Sequence, residues 1–269
     1  MSPDIETLIA IARDAGRAIL AVYERGFEVA AKQDNSPLTE ADLASHRLIV
    51  DALAKLTPDT PILSEESAAV PFATRSRWSR YWLVDPLDGT KEFIKRNGEF
   101  TVNIALIERG APVAGVVHVP VTGAVYAGEV GHGAFLEDAD GRRSALAAAT
   151  KRHHPLRVAG SRSHAGRSLQ AFLERAGEHE LISMGSSLKL CLVAEGRADI
   201  YPRLGPTSEW DTAAAQAVVE AAGGKVTDTA LRPLRYNQKE SVLNPYFLVF
   251  GDQSVDWTRY LDEDSVLEP

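Results

Sequence analysis

Apolar residues in the first quarter of the chain recur at a spacing of three and four residues. Residues 4–24 follow this spacing throughout, which predicts an amphipathic helix that buries one face. The spacing returns over residues 40–56, and Pro58 follows almost directly, so a second helix is predicted to end there. Residues 34–37, between the two helices, have the composition of a turn.

From residue 81 the pattern changes to short apolar runs that are separated by glycine and proline. These runs cover residues 81–84, 100–108, 113–119, 124–129 and 134–137. Strands that follow one another so closely predict an antiparallel meander, because a short hairpin turn joins antiparallel neighbours and not parallel ones.

The second half of the chain alternates short apolar runs with longer helical patterns. Predicted strands cover residues 156–159, 181–184, 199–201 and 246–250, and predicted helices cover about 166–176, 186–195 and 211–222. Alternation of this kind favours an α/β unit. The polar, alanine-rich residues 138–155 separate the two patterns. We therefore predict two domains, residues 1–150 with the antiparallel sheet and residues 151–269 of the α/β type, which suits a chain of 269 residues.

The composition is that of a soluble globular protein, with 45% hydrophobic and 25% charged residues. The 29 basic and 37 acidic residues give a net charge of −8, which argues against a nucleic acid polymer as the partner. Cys191 is the only cysteine, so an intrachain disulfide is excluded. The chain shows neither a signal-peptide pattern nor the roughly 20 consecutive apolar residues of a transmembrane helix. These features predict a cytoplasmic protein without a transmembrane segment.

Two aspartates lie three residues apart where an apolar, aromatic strand is predicted to end. Residues 82–93 read W-L-V-D-P-L-D-G-T-K-E-F, and Gly89 permits a tight bend. The carboxylates of Asp85 and Asp88 can then converge on one point, with the carbonyl oxygen of Leu87 between them. The alternative is an ordinary surface turn, for which these residue types are also favoured.

Three further acids occupy positions of the same kind. Glu65 follows the apolar residues 61–63, Asp42 lies inside or just before the second predicted helix, and Asp211 lies at the entry to the last one. Each has an ordinary alternative as a solvated charge or a favourable charge at a helix N-terminus. Glu65, Asp85, Asp88 and Asp211 together form a set of oxygen ligands of the type that Mg²⁺ prefers. These carboxylates would repel one another unless divalent ions lay between them. Two such ions can activate a water molecule and stabilise the leaving oxygen in phosphoryl transfer.

The sequence resembles the inositol monophosphatase superfamily in four motifs that occur in the expected order. Its signature matches residues 82–108, where Lys91 and the two residues after it are similar to the 3'(2'),5'-bisphosphate nucleotidase (CysQ) branch. The other motifs are L-S-E-E-S at 63–67, G-S-S-L-K-L-C-L-V-A-E-G-R-A-D-I-Y-P-R at 185–203 and W-D-T-A-A-A at 210–215. The resemblance runs from about residue 5 to residue 252. It implies a layered αβαβα sandwich, α+β in the first domain and α/β in the second, with the active site between them.

The resemblance also implies a role for each candidate residue, with two or three Mg²⁺ ions in each active site. Glu65, Asp85 and the Leu87 carbonyl would hold the ion that activates the attacking water. Asp85 would be shared with a second ion, which Asp88 and Asp211 would complete. Thr90, paired with Asp42, would orient that water and help to deprotonate it. Most metal ligands would thus belong to the first domain, and Asp211 to the second.

The substrate would contact a partly overlapping set of residues. The implied set is Glu65, Leu87, Asp88, Gly89, Thr90, Ser163, His164, Ser186, Lys189, Arg203 and Asp211. The N–H groups of Gly89 and Thr90 would hold the reacting phosphate, and the cations of Lys189 and Arg203 would bind a second one.

These expectations lead to a Mg²⁺-dependent phosphomonoesterase that hydrolyses the 3'-phosphate of adenosine 3',5'-bisphosphate to give AMP and phosphate. One alternative is an inositol monophosphatase or sugar phosphatase with the same metals. A second is a non-catalytic regulator that binds a nucleotide or a metal. The resemblance further implies inhibition by Li⁺. It leaves open a homodimer and a peripheral position on the cytoplasmic face of the inner membrane.

Overall fold

Helices and sheets alternate in five layers in the computed structural model, which describes residues 4–25, 27–31, 37–161 and 166–262. The first half contains α1 (Ile5–Arg25), β1 (Ala30–Ala31), β2 (Pro37–Leu38), α2 (Glu40–Leu56), β3 (Ile62–Ser64), α3 (Phe72–Arg75), β4 (Arg80–Asp88), α4 (Thr90–Ile94), β5 (Thr101–Glu108), β6 (Ala111–His118), β7 (Val125–Glu129), β8 (Gly133–Glu137) and β9 (Arg143–Ala145). The second half contains β10 (Leu156–Ser161), α5 (Arg167–Ala176), β11 (His179–Met184), α6 (Leu188–Ala194), β12 (Ile200–Arg203), α7 (Glu209–Ala221), β13 (Lys225–Asp228), β14 (Phe247–Phe250) and a short 3₁₀ helix at Trp257–Tyr260.

The first large sheet has seven strands in the order β3-β4-β5-β6-β7-β8-β9. From β4 onward every neighbouring pair is antiparallel, and β3 lies parallel to β4 at the edge. The predicted meander is therefore present, and it extends one strand further than expected. The extra strand, β9, lies inside the polar residues 138–155. It was not predicted, because three mostly polar residues carry no recognisable strand pattern.

The prediction that the strand ends at residue 84, with Asp85 and Asp88 on the turn after it, was wrong, because β4 continues through Asp88. Asp85 pairs with Asn103 and Asp88 pairs with Thr101, so β4 uses three steps where β5 uses two. Such a bulge changes the alternation of side chains along the strand. Because Asn103 and Thr101 lie two residues apart on one face, the bulge turns both aspartates to the same side.

The second sheet has five strands in the order β11-β10-β12-β14-β13. The first three are parallel to one another, as an α/β alternation predicts, whereas β14 and β13 are antiparallel to their neighbours. β13 was missed because only one of its four residues, Val226, is a large apolar one. The predicted domain boundary near residue 150 stays a prediction.

The helices form three layers around these sheets. α1 and α2 cover one face of the seven-stranded sheet, α6 and α7 lie between the two sheets, and α5 with the 3₁₀ helix covers the outer face of the five-stranded sheet. α7 is buried on almost all sides, and most of its buried residues are alanines and valines. Small apolar residues of this kind let a helix pack closely against neighbours on several sides. Within the described part of the chain, no helix combines the length and the apolar character that crossing a bilayer requires.

Candidate active site

Three aspartate side chains from two separate elements meet at one point of the structure. Asp85 and Asp88 lie in the last four residues of β4, and Asp211 lies in the first turn of α7. One carboxylate oxygen of each lies within 4.8 Å of those of the other two. Glu65, in the turn after β3, adds a fourth acid that is close enough for its charge to raise the pKa of Asp85. The structure thus brings together the four acids that the sequence pattern indicated.

Backbone N–H groups hold one oxygen of each clustered aspartate. Asp85 Oδ1 accepts from Leu87 N–H at 3.0 Å, Asp88 Oδ2 from Ser187 N–H at 2.6 Å, and Asp211 Oδ2 from Ser208 N–H at 3.0 Å. The last bond belongs to a capping box, in which Ser208 and Asp211 satisfy each other's N–H groups. Hydrogen bonds to an ionised acceptor are the stronger kind, so the orientation of all three carboxylates is fixed in advance of any ligand.

Burial and mutual repulsion raise the pKa of the three aspartates. Burial is the largest cause in each case, and for Asp85 and Asp211 the charges of the neighbouring acids, Glu65 among them, raise the pKa further. The pKa of Asp88 rises only to about 6, because the Lys189 ammonium and nearby N–H donors oppose burial. A divalent cation within the cluster would reverse this unfavourable balance. Because carboxylate oxygens are the ligands that hard cations prefer, these residues fit a metal site.

The Thr90 hydroxyl lies beside the cluster and faces Asp42. Thr90 Oγ1 donates to Asp42 Oδ1 at 3.4 Å and lies 3.5 Å from the carbonyl oxygen of Leu87. Asp42 is buried in the first turn of α2, and its other oxygen accepts from the N–H of Thr39 at 2.8 Å in a second capping box. Gly89, just before α4, has a φ of +93°, a left-handed conformation that glycine adopts without strain. The pair that the resemblance implied is therefore in contact.

Two adjoining cavities open next to the acidic cluster. The inner one has a volume of about 140 Å³ and is bordered by Asp88, Asp211 and Ser186. The outer one has a volume of about 550 Å³ and shares Lys91 and Arg203 with the inner one. Ser186 Oγ is buried and has no hydrogen-bond partner among the described residues. Since a buried polar atom normally has a partner, this hydroxyl fits a contact that a bound ligand would complete.

The two predicted phosphate-binding cations have different environments. Lys189 is buried, and its ammonium donates to the carbonyl oxygens of Met184 at 3.2 Å and Ser186 at 2.6 Å. This leaves one of its three N–H donors for a ligand, and burial lowers its pKa to about 8. Arg203 donates to the carbonyl oxygen of Pro206 at 2.6 Å and borders both cavities. Ser163 and His164, which were predicted to contact the substrate, lie outside the described residues.

Sequence reasoning missed three groups that the structure places at the site. Lys91 is exposed and borders both cavities, and its side-chain ammonium has no hydrogen bond or ion pair with any described residue. Asn103 and Ser187 hydrogen-bond with Asp88. The two capping boxes could have been found from the sequence, because Thr39 precedes Asp42 and Ser208 precedes Asp211 by the three residues that this motif requires. No local signal marks Asn103 or Ser187, because their contact joins distant parts of the chain.

The layered fold and the acidic cluster between its two sheets define a class of protein, and comparison with known proteins identifies it. A model of the inositol monophosphatase family matches residues 1–254. The chain belongs to this family, and the predicted αβαβα fold is confirmed.

Within the family, curated relatives that match over most of this chain are named bisphosphate nucleotidases. The chain is 52% identical over 247 residues to the 3'(2'),5'-bisphosphate nucleotidase CysQ of Escherichia coli strain K12, covering 91% of this chain and 98% of the relative. The Haemophilus influenzae protein of the same name is 38% identical over 254 residues, with 94% of both chains covered. The crystal structure of CysQ from Bacteroides thetaiotaomicron superimposes with a TM-score of 0.80 at 42% identity, covering 93% of this chain and 97% of that one. The predicted CysQ branch and the prediction of an enzyme, a phosphoric monoester hydrolase, are confirmed.

Proposed function

We propose that this chain is a Mg²⁺-dependent nucleotidase that removes the 3'-phosphate of adenosine 3',5'-bisphosphate, giving AMP and phosphate. The observation that carries the proposal is the convergence of three aspartates, with one carboxylate oxygen of each within 4.8 Å of the others, and the Thr90–Asp42 pair beside them. The names of the relatives at 52% and 38% identity support the substrate class.

Glu65, Asp85, Asp88, Asp211 and the Leu87 carbonyl are the proposed ligands of at least two ions. Bound Mg²⁺ would polarise the phosphate and acidify a water molecule. Asp85 suits a ligand that two ions share, because the charges of Glu65, Asp88 and Asp211 all act on it. Because backbone N–H groups already hold one oxygen of each aspartate, little reorganisation is needed when ions bind.

Thr90 and Asp42 are the proposed proton-handling pair. Thr90 Oγ1 donates its proton to Asp42 Oδ1, with 3.4 Å between the two oxygens. The same Oγ1 can accept a hydrogen bond from the attacking water. The capping box orients the Asp42 carboxylate towards Thr90. The water would thus be oriented for in-line attack, with Asp42 assisting removal of its proton.

A substrate with two phosphates suits the charges around the cavities. The reacting phosphate would lie against the acidic cluster and its ions, near Ser186 and the N–H groups of Gly89 and Thr90. The second would meet the cations of Lys91, Lys189 and Arg203, which border the inner cavity. An inositol monophosphate has no second phosphate for these cations, which is why we favour the nucleotide over the inositol alternative.

The proposal is tested by phosphate release from adenosine 3',5'-bisphosphate and from inositol 1-phosphate, side by side, with MgCl₂ and with EDTA. We expect faster hydrolysis of the nucleotide, full dependence on Mg²⁺, and 5'-AMP as the product on chromatography. Preference for inositol 1-phosphate would overturn the substrate and keep the metal chemistry, whereas equal rates in EDTA would overturn the metal role. The cytoplasmic location, the homodimer and inhibition by Li⁺ stay predictions.

A further inference from the structure

One oxygen of Asp88 accepts two hydrogen bonds from different parts of the chain. The backbone N–H of Ser187 donates to Asp88 Oδ2 at 2.6 Å, and Asn103 Nδ2 donates to the same oxygen at 3.3 Å. Asn103 lies in β5, next to Asp88 in the seven-stranded sheet, whereas Ser187 immediately precedes α6. Asp88 is therefore held by one donor from β5 and by one from the residue that precedes α6.

These donors are part of a longer chain of hydrogen bonds whose direction can be assigned. Ser187 Oγ donates to Asn103 Oδ1 at 3.0 Å, and Thr101 Oγ1 lies 2.9 Å from Ser187 Oγ. Since the single hydroxyl proton of Ser187 is used towards Asn103, Thr101 must donate to Ser187. The proton donors then run from Thr101 to Ser187, to Asn103 and finally to Asp88.

The order of donors and acceptors in this hydrogen-bond network determines which way the side-chain amide of Asn103 faces. An ionised carboxylate only accepts hydrogen bonds, so the NH₂ group of Asn103 must face Asp88 and its carbonyl oxygen must face Ser187. Without the Ser187 hydroxyl, the Asn103 carbonyl would lose its donor and the amide would be free to rotate. Thr101, Asn103 and Ser187 are 0%, 1% and 2% exposed, so water does not readily replace a lost partner.

We propose that Asn103 and Ser187 are positioning residues that hold Asp88 in the orientation needed to bind the metal, with Thr101 supporting them. This inference rests on the proposed function, because it assigns the three residues to the proposed metal site. Their contribution acts through Asp88: they confine its Oδ2 and so determine where its other oxygen lies relative to Asp85 and Asp211. Partners of this kind typically change metal affinity by about 10- to 100-fold when they are removed.

The test is calorimetric titration of Mg²⁺ into the substrate-free protein, for wild type and for Asn103→Ala, Ser187→Ala and Thr101→Val. We expect the Mg²⁺ affinity to fall by about 10-fold or more for Asn103→Ala. The loss should be smaller for Ser187→Ala, which keeps the backbone donor, and smallest for Thr101→Val, which keeps the shape of the side chain. The Mg²⁺ concentration that gives half of the maximal phosphate release should rise in the same order, and excess Mg²⁺ should restore the rate.

Thr227→Val is the matched control. Thr227 Oγ1 is also buried, lies in β13 and has no hydrogen-bond partner among the described residues, so its loss should leave Mg²⁺ affinity unchanged. Thermal melting in EDTA shows whether each variant folds. If Asn103→Ala or Ser187→Ala does not fold, the Mg²⁺ affinity of Thr101→Val still tests the proposal. If wild type binds Mg²⁺ and all three variants bind it equally well, the inference is overturned and the proposed function stands. If wild type binds no Mg²⁺, both are overturned.

Discussion

Gly115 in β6 lies directly against the backbone of Ala214 in α7. A Cβ atom at position 115 would lie only 2.2 Å from the carbonyl oxygen of Ala214. Gly128, the register partner of Gly115 in β7, makes a similar approach, since a Cβ there would lie 2.8 Å from the Cα of Val218. Two paired glycines therefore let α7 pack closely on the sheet, and α7 carries Asp211 three residues before Ala214.

We expect Gly115→Ala to destabilise the protein and to weaken Mg²⁺ binding. The atom that the new methyl group would meet belongs to the backbone, so α7 itself must move, which typically costs about 1–3 kcal/mol or more. Movement of α7 displaces Asp211 from Asp85 and Asp88. Urea unfolding in EDTA measures the first effect, and calorimetric titration of Mg²⁺ measures the second.

Gly205→Ala is the control for the stability of the Gly115 variant. Nothing lies within 4 Å of a Cβ at position 205, and its backbone is not left-handed. This substitution should leave the urea midpoint unchanged or slightly higher, because alanine restricts the unfolded chain. Equal midpoints for wild type and Gly115→Ala would show that α7 does not depend on this contact.

Local patterns in the sequence predicted the parts of the fold whose interactions are local. The spacing of apolar residues predicted α1 and α2 within one or two residues, and the turn residues predicted β5 to β8. The clustered acids could be predicted because each lies at the end of a strand pattern or at the start of a helix pattern, as Glu65 does after β3 and Asp211 does in α7. β13 and β9 could not, because short strands with few apolar residues are stabilised by their neighbours and not by their own composition.

The finer geometry of the site depends on contacts that no local pattern encodes. The bulge in β4 that turns Asp85 and Asp88 to one side is set by the register with β5. The bond between Ser187 and Asn103 joins residues that lie 84 positions apart. A serine in a turn and an asparagine in a strand are common, so neither residue type indicated a contact with Asp88.

His118 makes the stability of the fold depend on pH. It is buried in β6, and its Nδ1 lies 3.1 Å from the carbonyl oxygen of Ala124, which only accepts, so Nδ1 carries the proton. Burial, aided by the charges of Arg13 and Arg17, lowers its pKa from 6.5 to about 4. The unfolded chain therefore binds a proton between pH 6.5 and about 4 that the folded protein does not, and stability falls as the pH falls through this window.

We expect the urea midpoint to drop between pH 7 and pH 4.5 by less in His118→Gln than in wild type. Carboxylates with raised pKa, such as Asp88, change stability in the opposite direction over this window, but they do so equally in both proteins. His132→Gln is the control, because His132 is largely exposed and its replacement should leave the drop as in wild type. An identical drop in wild type and His118→Gln would contradict this assignment.

Asp88→Asn should have opposite effects on activity and on the stability of the metal-free protein. The rate of phosphate release at saturating Mg²⁺ should fall by more than about 100-fold, because the loss of a ligand exceeds the loss of a ligand's partner. The urea midpoint in EDTA at pH 7.5 should rise, because the pKa of Asp88 is raised to about 6 and its charged form is unfavourable above that pH. The asparagine oxygen can still accept from Ser187. Near-normal activity would refute the role of Asp88 as a metal ligand, and a lower urea midpoint would contradict the unfavourable charge assigned to it.

Lys91 should determine the preference for a substrate with two phosphates. Its ammonium borders both cavities and has no partner among the described residues, so it can pair with the second phosphate without giving up another bond. A charge-assisted hydrogen bond contributes about 1.5–3 kcal/mol, and every 1.4 kcal/mol is about tenfold. We therefore expect Lys91→Met to lower kcat/KM for adenosine 3',5'-bisphosphate by about 10-fold or more, and to lower kcat/KM for adenosine 3'-monophosphate far less.

Lys95→Met is the control, because it removes the same charge from a residue that borders neither cavity. It should change neither value. Equal losses on both substrates in Lys91→Met would mean that this lysine serves the reacting phosphate or the fold, and not the second phosphate.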